Sequence, residues 1–279
     1  LALIGSPVGH SGSPAMYNYS FQKLGLDYVY VAFDVPQQEV GKAIEAMRTF
    51  HMRGCNVTMP DKTEAVKYMD ELSPAARMIG AVNTIVNTDG KLTGYITDGE
   101  GFVQNLRDHG TQIQGKKITV AGGGGAATAI QVQCALDGAR EISIFNIKDA
   151  FFARTLETAE KIRAERPDCI VNVFDIADEA AMKAEIASSD IFANATIVGM
   201  KPMENESVVK DTSAFRPGLV VCDAVYNPKE TRLLREAKAA GCTCISGEGM
   251  LLWQGAAAFR LYTGMEMPVG EVKERFFSN

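Results

Sequence analysis

The sequence predicts an α/β protein of two domains with largely parallel sheets. Short apolar runs of strand type alternate with segments of helical period along the chain, the signature of βα units. The alternation pauses near Asp98–Gly101 and then restarts from a buried run. The restart opens on a glycine cluster lying between a strand pattern and a helix pattern. A chain of 279 residues is long enough for a full core in each of two domains.

In the first series LALIG (1–5) is a buried strand pattern, and a chain opening directly on one points to preceding residues. SPAMYNYSFQKLG (13–25) predicts a helix, with Ser13 to cap it, Pro14 at its first position and Gly25 to stop it. YVYVAFDV (28–35) predicts a strand, EVGKAIEAMRTFH (39–51) a helix and RGCNVTM (53–59) a third strand. DKTEAVKYMDEL (61–72) predicts a helix with Ala65, Val66 and Met69 on one face. AVNTIVNTDGKLTGYITD (81–98) predicts a hairpin turning at NTDG. In the second series KKITVAG, EISIFNI, CIVNVFDI, DIFANAT, GLVVCDAVYNP and CTCISG predict strands. AATAIQVQCALDG, DAFFARTLETAEKIRAERP and DEAAMKAEIAS predict the helices between them, and further helices follow from about Gly249.

A net charge of −6 argues against a nucleic-acid partner. The six cysteines follow no framework spacing, and their only close pair is C-T-C. Three histidines far apart give no ligand cluster, so no metal is expected. These thiols read as reduced, which places the protein in the cytoplasm. No apolar run reaches the ~18 residues of a membrane helix, and no signal peptide is visible.

ITVAGGGGAATAI is strand, glycines, helix, and fits G-x-G-x-x-A at Gly122, Gly124 and Ala127. Glycines let backbone N–H groups approach a pyrophosphate, whose charge then meets the N-terminus of the next helix. The candidate cofactor contacts are Gly122, Gly124, Gly125 and Ala126, with Asn146 closing the next strand. Beyond it, Asp149 is placed to bind ribose hydroxyls, which favours NAD, although Asp is also a common helix cap. Lys148 beside it suits an extra phosphate, so NADP stays open as the second cofactor.

An alcohol oxidation needs a base for the hydroxyl proton. Lys62 stands where the pattern starts a helix, a place that favours the neutral amine and lowers the lysine pKa. Asp98, at the end of the second hairpin strand, is the carboxylate placed to oppose that shift and hold the lysine. Tyr19 and Lys23 form Y-x-x-x-K, a pattern shared with methylenetetrahydrofolate dehydrogenases but common on any helix. A non-catalytic dinucleotide-dependent sensor on the same fold is the other alternative; retention of Lys62 and Asp98 speaks against it.

HSGSP, NVTMPDK, AVNT, TDGEG, AGGGGA, DAVYNP and GMLLWQGA occur in that order along essentially the whole chain. Together they resemble the shikimate dehydrogenase family, especially its quinate/shikimate dehydrogenase branch. The resemblance implies an N-terminal α/β substrate domain, a Rossmann-type NAD(P)-binding domain and a cleft between them. It implies oxidation of shikimate to 3-dehydroshikimate, or of quinate to 3-dehydroquinate. Residues 1–99 with 249–279 would bind substrate and 100–248 the dinucleotide. Lys62 and Asp98 match the family's catalytic pair, and Ser11 and Ser13 the hydroxyls that hold the substrate carboxylate. Thr58, Asn83 and Gln254 match residues that bond the ring hydroxyls or lie beside the catalytic pair, and Tyr226 matches a tyrosine near substrate and nicotinamide. Val225, Gly249 and Met250 fall in the segments at the nicotinamide end. The expected partner is a small hydroxylated acid, with no nucleic acid or membrane, bound by a monomer or homodimer. The chain departs from the family at Ile96, where asparagine is common, and at Gly123, where alanine is frequent.

Overall fold

A computed structural model of the chain describes residues 1–149 and 152–277. Positions 150 and 151 of the helix expected from Asp149 lie outside them. The chain forms two compact units, Leu1–Thr97 with Leu252–Asn279, and Asp98–Leu251.

The first unit contains β1 (Ala2–Gly5), α1 (Ser13–Lys23), β2 (Val31–Asp34), α2 (Val40–Thr49), β3 (Gly54–Val57), β4 (Glu71–Leu72), α3 (Pro74–Ile79), β5 (Thr84–Thr88) and β6 (Lys91–Tyr95). Its sheet runs β2-β1-β3-β5-β6-β4. β1 lies parallel to β2 and β3, while β5 is antiparallel to β3 and β6. The β5–β6 turn uses Asp89 and Gly90, both at positive φ (53° and 91°), the geometry a two-residue hairpin turn requires. The unit's core stacks Tyr17 on Tyr30 at 4.4 Å, with Phe21, Phe259 and Tyr262 around them.

The expected helix over 61–72 is not formed. Turns from Pro60 lead into one 3₁₀ turn, Ala65–Tyr68, and then β4. The carbonyl of Asp61 accepts an i+4 donor, the N–H of Ala65 (2.9 Å), but that of Lys62 accepts the N–H of Val82 (2.8 Å), so the helix ladder is not continued. α1 begins at Ser13 as expected, but Gly12 occupies the cap position and no side chain caps it. The N–H of Ser13 instead donates to Ser11 Oγ (3.2 Å).

The second unit holds α4 (Asp98–Asp108), β7 (Lys117–Ala121), α5 (Gly125–Leu136), β8 (Glu141–Asn146), α6 (Phe152–Glu165), β9 (Ile170–Asp175), α7 (Glu179–Ser188), β10 (Ile191–Asn194), β11 (Val220–Asp223), α8 (Arg232–Ala239) and β12 (Thr243–Ile245). The chain continues through α9 (Gly247–Thr263) and ends in α10 (Val269–Phe276). The sheet order is β12-β11-β10-β7-β8-β9, every pairing parallel. Counted from its own first strand this is 3-2-1-4-5-6, the Rossmann order, with its reversal between β7 and β10. No helix among the described residues is long and apolar enough to cross a membrane.

Candidate functional site

In open parallel sheets a ligand binds where the strand order reverses, at the carboxyl ends of the strands. The glycine loop sits there. Gly122 follows β7 at φ 122°, and a Cβ on it would come 2.7 Å from the Ala195 carbonyl oxygen after β10. Its own N–H donates to Phe145 O (2.7 Å), and its carbonyl accepts from Gln131 Nε2 (3.0 Å). Glycine is therefore required by the backbone before any ligand is considered. Gly124 caps α5 in extended conformation, and among the described residues no side-chain cap bond is made there. A Cβ on Gly124 or Gly125 would meet nothing within 4 Å. This open helix N-terminus fits a pyrophosphate. Ala127 is fully buried, as the third position of the fingerprint demands.

Gly123 has its own reason. A Cβ there would press on the Asn146 amide and lie 2.6 Å from Thr155 Oγ1. Those two side chains bond to each other (Asn146 Nδ2 to Thr155 Oγ1, 2.9 Å), so the glycine makes room for a fixed Asn146. A cavity of about 520 Å³ adjoins the loop, lined by Gly122, Gly124 and Asn146 and also by Ile147, Thr196 and Ile197. The last three were not singled out from sequence; their signal was position alone, immediately after β8 and β10. Asp149 stands on an exposed bend after β8, and Lys148 is exposed beside it. Val225 is buried after β11, while Tyr226 is 51% exposed. Gly249 lies against α4: a Cβ on it would overlap the Asn105 side chain, whose Nδ2 donates to Ser246 O (3.0 Å). That contact fixes the start of α9, and with it Gly249 and the buried Met250.

Asp98 is the first residue of α4 and follows the end of β6 by three positions, so it is a helix N-terminal carboxylate and not a strand end. A carboxylate is favoured there by the helix dipole. Lys62, by contrast, is half-buried on a turn, and the helix dipole invoked for it does not exist.

Within the first unit the expected polar residues sit on segments bonded to one another. The carbonyl of Thr58 accepts from Asp61 N (3.0 Å), that of Lys62 from Val82 N (2.8 Å), and that of Asn83 from Val57 N (2.9 Å). Asn83 is the hub of a buried network. Its Oδ1 accepts from Thr97 N (2.9 Å) and Thr84 Oγ1 (2.9 Å), and its Nδ2 donates to Thr97 Oγ1 (3.1 Å). Asn56 Nδ2 donates to Thr84 Oγ1 (3.1 Å), and Tyr30 OH to Asn56 Oδ1 (2.7 Å). The network sets the backbone of Thr97, the residue before Asp98. Ile96 is buried and contributes no amide to it. Ser11 and Ser13 share the bond between Ser13 N–H and Ser11 Oγ, and Gln254 lies half-buried on α9. Trp253 packs against the core cluster.

Asp61 was missed. It is fully buried beside Lys62 in sequence, and both carboxylate oxygens lack a partner among the described residues. Burial pushes its pKa up, and Glu64 adds to the effect. Tyr19 and Lys23 form no catalytic pair of their own: Tyr19 OH donates to Glu271 Oε2 (2.9 Å) and Lys23 Nζ lies 2.8 Å from the same oxygen, tying α1 to α10.

A Rossmann-ordered sheet, a glycine loop that only glycine fits and a second α/β unit with a buried polar network define a dinucleotide-dependent oxidoreductase. The comparisons agree. Residues 3–85 match the shikimate dehydrogenase substrate binding domain and 247–275 the shikimate 5'-dehydrogenase C-terminal domain. A shikimate dehydrogenase (NADP(+)) of Listeria monocytogenes is 52% identical over 277 residues, covering 99% of this chain and 95% of that one. The chain belongs to the shikimate dehydrogenase family. The solved structure of shikimate 5-dehydrogenase from Listeria monocytogenes, in complex with shikimate and NAD, superposes with a TM-score of 0.96 at 52% identity, covering 98% of this chain and 94% of that one. Quinate dehydrogenase from Corynebacterium glutamicum, in complex with NAD, gives 0.87 at 28% identity over 100% and 98%.

Proposed function

We propose that this oxidoreductase interconverts shikimate and 3-dehydroshikimate, with NAD favoured over NADP. The observation that carries the cofactor preference is Asp149, an exposed carboxylate just beyond β8 where ribose hydroxyls would be read. An NAD complex of a 52%-identical relative supports it, while the curated relative's name gives NADP(+) and keeps that cofactor as the competitor. In this reading positions 1–99 with 249–279 serve the substrate and 100–248 the dinucleotide.

The bound dinucleotide supplies the hydride chemistry. The chain's residues do the rest. Ser11 and Ser13 hold the substrate carboxylate. Thr58, Asn83, Tyr226 and Gln254 offer donors and acceptors to the ring hydroxyls, and such a site rejects analogues that lack the bonding group. Lys62 and Asp98 handle the hydroxyl proton: the amine takes it during oxidation and the ammonium returns it during reduction. Backbone N–H groups at Gly124–Ala126 hold the pyrophosphate, and Asn146 and Asp149 the adenosine ribose. Val225, Gly249 and Met250 line the nicotinamide end.

Quinate is the second substrate in this reading, because it presents a carboxylate and ring hydroxyls of the same kind. The 28%-identical quinate dehydrogenase favours it. Initial rates on purified protein, with shikimate and quinate each against NAD and NADP, test all of this. Higher kcat/KM with NAD on either acid supports the Asp149 reading. A preference for NADP would shift the weight to Lys148, and silence in all four assays with NAD still bound would leave the non-catalytic sensor.

A further inference from the structure

Asp223 closes β11 and is 2% exposed. Its carboxylate accepts three hydrogen bonds from three different places. Oδ1 takes the N–H of Val225 in the following loop (3.0 Å) and Nδ2 of Asn194 at the end of β10 (2.9 Å). Oδ2 takes the hydroxyl of Thr231, the cap of α8 (2.6 Å). Asn194 and Asp223 are register partners on adjacent parallel strands. Asn194 spends the rest of its amide on its own loop: Nδ2 also donates to Val198 O (3.0 Å), and Oδ1 accepts from Thr196 N (3.1 Å) and Thr196 Oγ1 (2.7 Å). Thr196 Oγ1 accepts in turn from Val198 N (3.1 Å). One buried carboxylate thus joins the loop that lines the cofactor cavity through Thr196 and Ile197 to the loop that carries Val225 and Tyr226. Burying a carboxylate is costly, and strand packing alone does not need one. The bonds it makes are all to groups that shape loops at the carboxyl ends of strands, where ligands bind in this fold.

We infer that Asp223 is a positioning residue for the reaction, holding the Val225–Tyr226 segment in register with the Thr196–Val198 loop. The inference rests on the reading of Val225 and Tyr226 as site residues. It is independent of which acid is oxidised.

The test compares Asp223→Ala, Asp223→Asn, Thr231→Val and Tyr226→Ala in the full chain. The readouts are kcat and KM for both substrates, thermal midpoint, and hydrogen exchange at the Val225 amide. Loss of hydrogen bonds to a buried charged group is worth roughly 10- to 100-fold. Asp223→Ala is expected to speed Val225 exchange and to lower kcat/KM for the dinucleotide by about that factor, with KM moving as well as kcat. Asp223→Asn keeps an acceptor for Val225 and Asn194 and is expected to recover most of both losses. Simple destabilisation would lower the active fraction and leave KM unchanged; that pattern, or wild-type exchange at Val225 in folded Asp223→Ala, overturns the inference. Should Asp223→Ala not fold, Thr231→Val releases Oδ2 and removes the α8 cap, and is expected to give a smaller change of the same kind; unchanged KM and exchange there overturn it equally. Tyr226→Ala separates the two claims. Wild-type kinetics in that variant refute the Tyr226 assignment, while faster Val225 exchange in Asp223→Ala still supports the positioning role.

Discussion

The glycine loop of the second unit and the Thr58–Lys62 segment of the first, the two segments proposed to meet ligands, differ in material. The loop is built from backbone. Gly122, Gly123 and Gly124 contribute no side chains, and what they offer is space in front of an α5 N-terminus whose cap residue has no side chain. The segment would act through side chains, Thr58 and Lys62, beside the Asn83 amide, whose side chain is held by Thr84 and Thr97. A backbone site is damaged by adding atoms, and a side-chain site by removing them. Substitutions of opposite kind therefore test the comparison.

The largest effect is expected at Lys62. Lys62→Ala removes the proposed proton acceptor and is expected to lower kcat by on the order of 10²–10⁴. KM for shikimate should move little, because a residue acting only in the transition state leaves ground-state binding intact. Steady-state kinetics on the variant decide this, and a change confined to KM would make Lys62 a binding residue. Next comes the added atom. Gly122→Ala places a Cβ at φ 122° and 2.7 Å from a carbonyl oxygen, at a cost of about 3 kcal/mol or more from strain and overpacking together. Gly124→Ala meets nothing and has ordinary φ (−78°), so its midpoint should equal the parent's while KM for the dinucleotide rises. Equal loss of stability in both variants would break the distinction between a glycine kept for the fold and one kept for the ligand.

Those two loops also differ in how readily they could be read from sequence. Strand, glycines and helix are consecutive at 117–136, so local pattern sufficed for the geometry of the glycine loop. Lys62 is different. Its turn is set by the Val82 N–H, a partner remote in sequence, and that bond defeats the helical period of Ala65, Val66 and Met69. Asp98 moved from strand to helix for a similar reason, since Thr97 is held by Asn83 and the chain turns there. α8 was not anticipated, although Thr231 caps it and its Leu233, Leu234 and Ala237 form a buried face. Asp61 and Asp223 carry no sequence signal of burial, because an aspartate reads as surface until the fold encloses it.

Asp223 is a buried ionisable group in the backbone-built unit. Burial pushes its carboxyl up to about 6 despite three hydrogen bonds, so the folded state favours the proton. The stabilisation from that preference is complete below the ordinary value of 3.8 and is lost as pH rises through about 6. Its size is on the order of 3 kcal/mol. The adjacent thiol of Cys222 is itself driven far upward by burial and stays neutral throughout, so it adds no slope. Urea midpoints of the parent and of Asp223→Asn at pH 5 and pH 8 should diverge, with the asparagine variant gaining relative to the parent at the higher pH. A gap independent of pH would mean that the carboxyl titrates in its usual range.

The smallest effect is expected where the side-chain site is richest in bonds. Asn83→Ala leaves the buried N–H of Thr97 and the hydroxyl of Thr84 without their acceptor. An orphaned buried donor costs about 1–3 kcal/mol, and water admitted into the space left by the amide would bring the cost toward the lower end. The thermal midpoint should fall by roughly 2–4 °C for each kcal/mol lost. Activity should fall further than stability alone explains, because Thr97 fixes the backbone from which Asp98 starts α4. Asn83→Asp sharpens the point: it keeps the acceptor for Thr97 N–H and replaces the amide donor by a second acceptor, to which the Thr97 hydroxyl can donate, at the cost of a buried charge. If Asn83→Asp retains the parent's midpoint but loses kcat, the amide serves the reacting hydroxyl. If the two variants lose stability and activity in parallel, Asn83 serves the fold, and the side-chain site is smaller than the motif suggests.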